Sequence, residues 1–105
     1  MAIIPELTNG EFESFTRDGV VLIDFFADWC MPCMMMGPIL EDLGDEFLGK
    51  ANIGKVNIDD NESLAQKFNI SSIPAFVIFK DGQVVEELTG QMPQDELSDI
   101  IKKHI

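Results

Sequence analysis

Apolar positions change their period several times along this chain, and each change marks an element. Val20 to Ala27 (VVLIDFFA) carries β-branched and aromatic residues on both alternation sets. Val21, Ile23 and Phe25 fall on one face, and Val20, Leu22 and Phe26 on the other. A strand that is apolar on both faces is a central strand covered from each side. One acid, Asp24, interrupts the run on the Leu22 and Phe26 face. From Cys30 onward the pattern turns helical, and Leu40, Leu43 and Phe47 continue one apolar stripe. Pro38 falls inside that helix and should kink it, because proline removes a backbone donor and crowds the preceding turn.

The flanking segments read in the same way. Ala2 to Ile4 predicts a short strand. Thr8-Asn9-Gly10-Glu11 has the T-x-x-E form of a capping box, opening a helix that carries Phe12 and Phe15 to about Asp18-Gly19. Ala51 to Ile58 predicts a second strand, Asp59 to Asn61 a turn, and Glu62 to Phe68 a short helix with Leu64 and Phe68 four apart. Asn69 to Pro74 is a loop and Ala75 to Lys80 a strand. Asp81-Gly82 is a hairpin signal, so Gln83 to Leu88 is the returning strand. Gly90 breaks the chain, Pro93 suits a helix start, and Leu97, Ile100 and Ile101 stripe the last helix. The order β-α-β-α-β-α-β-β-α implies an α/β fold: a central mixed β-sheet flanked by helices on both faces. The chain has 105 residues, without repeats or linkers, so residues 1–105 are expected to form one domain.

Charge narrows the function. With 19 acids against 7 Lys and Arg, the formal net charge is −12. That argues against nucleic acid or an anionic membrane as a partner. The first ten residues, MAIIPELTNG, lack the basic region and long apolar core of a signal peptide. No apolar run is long enough to span a bilayer. The expected compartment is therefore the cytoplasm, where two cysteines point to redox or metal chemistry rather than to a structural bridge.

The cysteines form a Cys-x-x-Cys motif, delivered by the central strand to the first turn of a helix. Free backbone N–H groups and the positive end of the helix dipole stabilise a thiolate there. Cys30 should be that thiolate, with Cys33 one turn further on and deeper. Cβ atoms three residues apart on a regular helix sit about 5–6 Å apart, whereas a disulfide needs about 3.5–4.5 Å. The ring can close only because Cys30 is at the frayed end, with Pro32 helping to fix the turn. Such a bridge closes almost no loop and adds little as a staple, so it suits opening and closing.

Taken together, WCMPC after VLIDFFAD, then GPIL, KVNIDDN, SIPAF, FKDG and a late Gly-x-Met-Pro resemble the thioredoxin family over essentially the whole chain. The resemblance implies the thioredoxin fold and a protein-disulfide reductase, with Cys30 as attacking and Cys33 as resolving thiol. It implies Asp24 as a buried proton acceptor, Lys55 as the lysine near it, and Pro74, after Ile73, as a cis-proline beside the site. Gly90 matches the glycine lining the substrate groove. Trp29, Met31 and Pro32 complete the expected substrate-contact set. The chain departs from the family at Met31 (commonly glycine), Met34 (often lysine) and Phe26 (commonly tryptophan). No cofactor is implied beyond the Cys30–Cys33 disulfide, and no nucleotide motif is present. The expected partners are a thioredoxin reductase-type recharging enzyme and disulfide-containing proteins, with the chain itself a monomer.

Two rival readings stand beside this one. CMPCMMM offers soft sulfur ligands that could hold Cu(I) as a binding module. A closed zinc site falls short of four good ligands, because only one histidine, distant in sequence, accompanies the two cysteines. The same redox pair could also run in reverse, as a protein disulfide oxidase or isomerase. The run Met34 to Met36 is expected to be mostly packing, with one methionine at a binding surface. His104 is expected to be a surface residue without a catalytic role.

Overall fold

Strand β1 (Val20–Phe26) lies inside a four-stranded sheet of order β2-β1-β3-β4. The structure is a computed structural model and describes residues 2–105. In chain order the other elements are α1 (Asn9–Thr16), α2 (Met31–Met35), α3 (Gly37–Glu46), β2 (Ala51–Asn57), α4 (Glu62–Lys67), β3 (Ala75–Lys80), β4 (Gln83–Thr89) and α5 (Gln94–Lys102). β1 runs parallel to β2 and antiparallel to β3, so the sheet is mixed, as expected. β3 and β4 form a hairpin with Lys80 opposite Gln83. Its two turn residues, Asp81 and Gly82, sit at φ 50° and 85°. That left-handed pair matches the twist of the strands it joins.

The two alternation sets of β1 end in different cores. Val20 and Leu22 pack with Leu40 and Leu43 of α3 and with Leu97 and Ile101 of α5. Val21, Ile23 and Phe25 pack with Phe12 of α1 and Leu64 of α4. Helices therefore cover both faces of the sheet, which is what a doubly apolar strand demands. On the second face the Phe12 ring lies 5.4 Å from Phe68, 5.7 Å from Phe79 and 6.5 Å from Phe25, measured between ring centroids.

Two expectations change. Ala2 to Ile4 form no strand. Glu6 instead makes one parallel bridge to Lys55, flanked by hydrogen bonds from the Leu7 N–H to the Lys55 carbonyl (2.8 Å) and from the Lys55 N–H to the Pro5 carbonyl (3.0 Å). Pro5 has no N–H to donate, so the ladder cannot continue through it. The segment still covers part of the outer edge of β2. The cysteine helix is also more than kinked. It ends at Met36, and α3 starts at Gly37 with Pro38 in its first turn. Pro38 cannot donate back to the Met34 carbonyl, so one helix becomes two. At the other end of the chain Glu11 performs its capping role, accepting from the Thr8 N–H at 3.1 Å and the Thr8 hydroxyl at 2.7 Å.

The aromatic cluster makes a direct prediction. Phe12→Ala removes a ring 4% exposed that touches three others, and should cost about 3–5 kcal/mol. Urea denaturation checks this. A loss below 1 kcal/mol would mean that α1 is not anchored through Phe12.

Candidate active site

β1 ends at Phe26, and the chain turns through Ala27, Asp28 and Trp29 to deliver Cys30 as the N-cap of α2. The Cys30 N–H donates to the Ala27 carbonyl (3.2 Å), which closes the turn. Cys30 has an extended backbone, and its sulfur accepts the Cys33 N–H at 3.2 Å. This is side-chain capping by sulfur: one of the free amides of the first turn points at Sγ. Pro32, inside that turn, has no N–H to waste there. Cys30 and Cys33 are joined as a disulfide, with Cα atoms 5.3 Å apart.

The expected difference in depth is absent. Cys30 is 5% exposed and Cys33 6%. In the disulfide both sulfurs share one cover, made by Ala27, Phe26, Ile58 and Ile73. Surroundings distinguish them instead. Cys30 faces the capping amide, whereas Cys33 lines a cleft of about 380 Å³ that reaches Asp24, Lys55 and Glu41.

Asp24 is the anomaly of the core. It is 2% exposed, and its Oδ1 has no hydrogen-bond partner among the described residues. Burial pushes its carboxyl up to about 7, with the Lys55 ammonium pulling partway back. Lys55 lies opposite Asp24 in the β1–β2 register. Its Nζ sits over the Phe26 ring, 5.4 Å from the centroid, so the aromatic face holds the cation at the cleft. A carboxyl that titrates near neutrality on the same cleft as Cys33 can take or give a proton under ordinary conditions.

The remaining expected residues arrive from distant parts of the chain. Ile73-Pro74 is a cis peptide bond, Ile73 packs on the cysteine pair, and Pro74 is buried. The Gly90 N–H donates to the Pro74 carbonyl at 2.8 Å, bringing Gly90 to the same end of the sheet. Gly90 has φ 99°, a conformation that suits glycine alone. Trp29 is 70% exposed, and its indole N–H donates to Asp59 Oδ2 at 2.9 Å. His104 is half-buried rather than fully exposed, with Nε2 2.8 Å from Glu86 Oε2, and lies outside this site.

The methionines depart from expectation. Among the described methionines only Met36 is buried; Met31, Met34 and Met35 are 60–67% exposed beside the cysteines. The signal was present in the helical period. Three and four residues apart, Met31, Met34 and Met35 share one side of a helix, while Cys33 and Met36 fall on the other. Asp28, Glu41 and Asp59 were also missed as neighbours of the site; Asp28 lies two residues before Cys30 and was locally visible, whereas no local pattern could have found Glu41 and Asp59. Among the described residues, no group of three or more His, Cys, Asp or Glu could hold a metal ion, and no helix is long and apolar enough to cross a membrane.

Comparison with known proteins agrees with this geometry. The Thioredoxin family profile matches residues 3–103. The chain is 44% identical to thioredoxin of Staphylococcus saprophyticus and 43% identical to that of Staphylococcus aureus, in each case over 105 residues and the full length of both chains. Its structure is similar to that of a mutant thioredoxin from Halobacterium salinarum, with TM-score 0.86, 34% identity, and coverage of 99% of this chain and 96% of that one.

Asp24 yields a stability prediction whose sign is the reverse of the usual paired acid. Its folded value of about 7 lies above the unfolded value of about 3.9. Between those values the native state holds more protons than the unfolded state. Stability therefore falls as pH rises from about 4 to 7, and the loss is complete above 7. Asp24→Asn should be more stable than the parent at pH 8 by about 2–4 kcal/mol, with the advantage fading toward pH 4. Chemical denaturation at both pH values checks this. A variant less stable at pH 8 would mark Asp24 as a structural acid.

Proposed function

Because this chain belongs to the thioredoxin family, it is an oxidoreductase acting on protein disulfides, and we propose that Cys30 attacks, Cys33 resolves and Asp24 accepts the Cys33 proton. The observation that carries this reading is the disulfide itself, capped at Cys30 by a backbone amide and flanked at Cys33 by the cleft of Asp24. In the reduced protein the Cys33 N–H and the helix end favour thiolate at Cys30. That thiolate attacks one sulfur of a substrate disulfide, forming a mixed disulfide and expelling the other sulfur as a thiolate, which takes a proton from solvent. Cys33 then gives its proton to Asp24 and attacks Cys30 Sγ. The mixed disulfide breaks, the second substrate sulfur leaves as a thiolate that is protonated in turn, and Cys30–Cys33 closes. Two electrons have passed to the substrate, so the balance needs no bound cofactor.

Lys55 is a positioning residue in this scheme. Its charge keeps the Asp24 carboxyl from rising further, which leaves that group able to both accept and release a proton near pH 7. Trp29, Met31, Pro32, Ile73, Pro74 and Gly90 form the substrate contacts: Trp29, Met31 and Pro32 flank the cysteines in the chain, Ile73 packs on the pair, and Gly90 is hydrogen-bonded to Pro74. Residues 1–105 act as one domain and as a monomer in the cytoplasm. An external reductase of the thioredoxin reductase type returns two electrons to the disulfide after each turnover.

The roles are tested by trapping. Cys33→Ser should accumulate mixed disulfides with substrate proteins, visible on non-reducing gels, whereas Cys30→Ser should accumulate none. Faster iodoacetamide labelling of Cys33 than of Cys30 in the native reduced protein would reverse the assignment. Met34→Lys places a cation one turn after Cys30 and should lower the Cys30 pKa by a fraction of a unit, because an exposed charge contributes only a few tenths of a kcal/mol. Thiolate absorbance reads the shift, and a rise would contradict it.

A further inference from the structure

The surface around the disulfide combines two features that the reaction itself does not require. The first is apolar and adaptable. Trp29, Met31, Met34 and Met35 are each 60–70% exposed, although large apolar side chains elsewhere in the chain are mostly buried. On α2 the three methionines occupy about 100° of arc, and the opposite side carries Cys33 and Met36 inward. Contiguous exposed apolar surface of this kind marks a contact site. Methionine and tryptophan are enriched in such contacts, and the unbranched thioether adapts to partners of different shape.

The second feature is charge. Asp59 holds the Trp29 indole, and Asp28 and Glu41 line the same cleft as Met34. Among the described residues lining the cleft Lys55 is the one cation, and it is engaged with the Phe26 ring. The apolar centre is therefore rimmed by carboxylates, in a chain of net charge −12. Where a lysine could have neutralised part of this rim, the chain has Met34.

From these two features we infer that the preferred substrates present their disulfide with large apolar side chains beside the cysteine and with Lys or Arg just beyond. The apolar side chains pack on Met31, Met34 and Met35. The cations meet Asp28, Glu41 and Asp59. Rim charges of this kind select partners and speed encounter more than they hold the complex. The inference rests on the reading of Cys30–Cys33 as the redox pair.

Three synthetic disulfide peptides test it. In the first, leucine flanks the cysteine and lysine lies three residues away. The second replaces that lysine with glutamate, and the third replaces the leucine with glycine. Bis(2-hydroxyethyl) disulfide, small and uncharged, serves as the reference substrate. At low salt kcat/KM for the lysine peptide should exceed that for the glutamate peptide by about three- to tenfold, the effect of exchanging one exposed attraction to the acidic rim for one repulsion. The ratio should approach one in 1 M NaCl, where the Debye length is about 3 Å. Asp28→Asn combined with Glu41→Gln and Asp59→Asn should also bring it toward one. Met34→Gln with Met35→Gln should reduce the preference for leucine over glycine by several-fold. A lysine-to-glutamate ratio of one or less in the parent, or a ratio unmoved by the triple acid variant, overturns the inference. If the parent reduces the reference disulfide but shows no discrimination among the peptides, only the docking inference falls. If it fails on the reference disulfide as well, the redox reading falls with it.

Discussion

The rest of the structure depends on the burial of β1 from both sides. Its outer positions are filled by the α3 and α5 layer on one face and by the α1 and α4 layer on the other. A strand so enclosed is held in register by β2 and β3 and cannot slide by one residue, because a slip would exchange its two apolar sets. The end of β1 is therefore a fixed point. The chain emerges from it, turns once and presents Cys30 as the cap of α2. Placement of the redox pair follows from packing of the core beneath it.

The same enclosure raises the free energy of one member of the site. Asp24 faces the α3 and α5 side of β1, is 2% exposed, and its Oδ1 has no partner among the described residues. A core selected for stability alone would hold an apolar residue at this position. The carboxyl instead titrates near neutrality, balanced between desolvation and the Lys55 charge. That balance joins two strands, since Asp24 and Lys55 are register partners across β1 and β2. The desolvation that makes the buried acid costly is also what brings its titration near neutrality.

The break in the cysteine helix has its own effect on the site. Pro38 ends the first segment at Met36, so α2 is a short platform carrying the sulfurs and the exposed methionines, while α3 belongs to the core. The two tasks, presenting a reactive surface and packing a hydrophobic layer, fall to separate helices. Ile73, just before β3, packs on the cysteine pair, and Gly90, just after β4, donates its N–H to the Pro74 carbonyl. The redox edge is assembled from the end of β1, the start of β3 and the chain following β4.

Local order was legible wherever it depends on near neighbours. The doubly apolar β1, the capping box at Thr8, the Asp81-Gly82 hairpin and the Cys-x-x-Cys spacing are all short-range patterns, and each appears in the structure where the sequence places it, whereas the kink expected at Pro38 is a full break between α2 and α3. The absent first strand shows the limit of such patterns. Ala2 to Ile4 have a strand's composition, but Pro5 removes the donor that a ladder beside β2 would need. The depth of the two cysteines, the partner of Trp29, the encounter of Asp28 and Glu41 with Met34 at one cleft, and the junction of Pro74 with Gly90 were decided by tertiary structure alone. Backbone periodicity fixes which face a side chain takes along its own element. Which residues meet across elements depends on how sheet and helices stack, and that arrangement is a property of the whole packed chain.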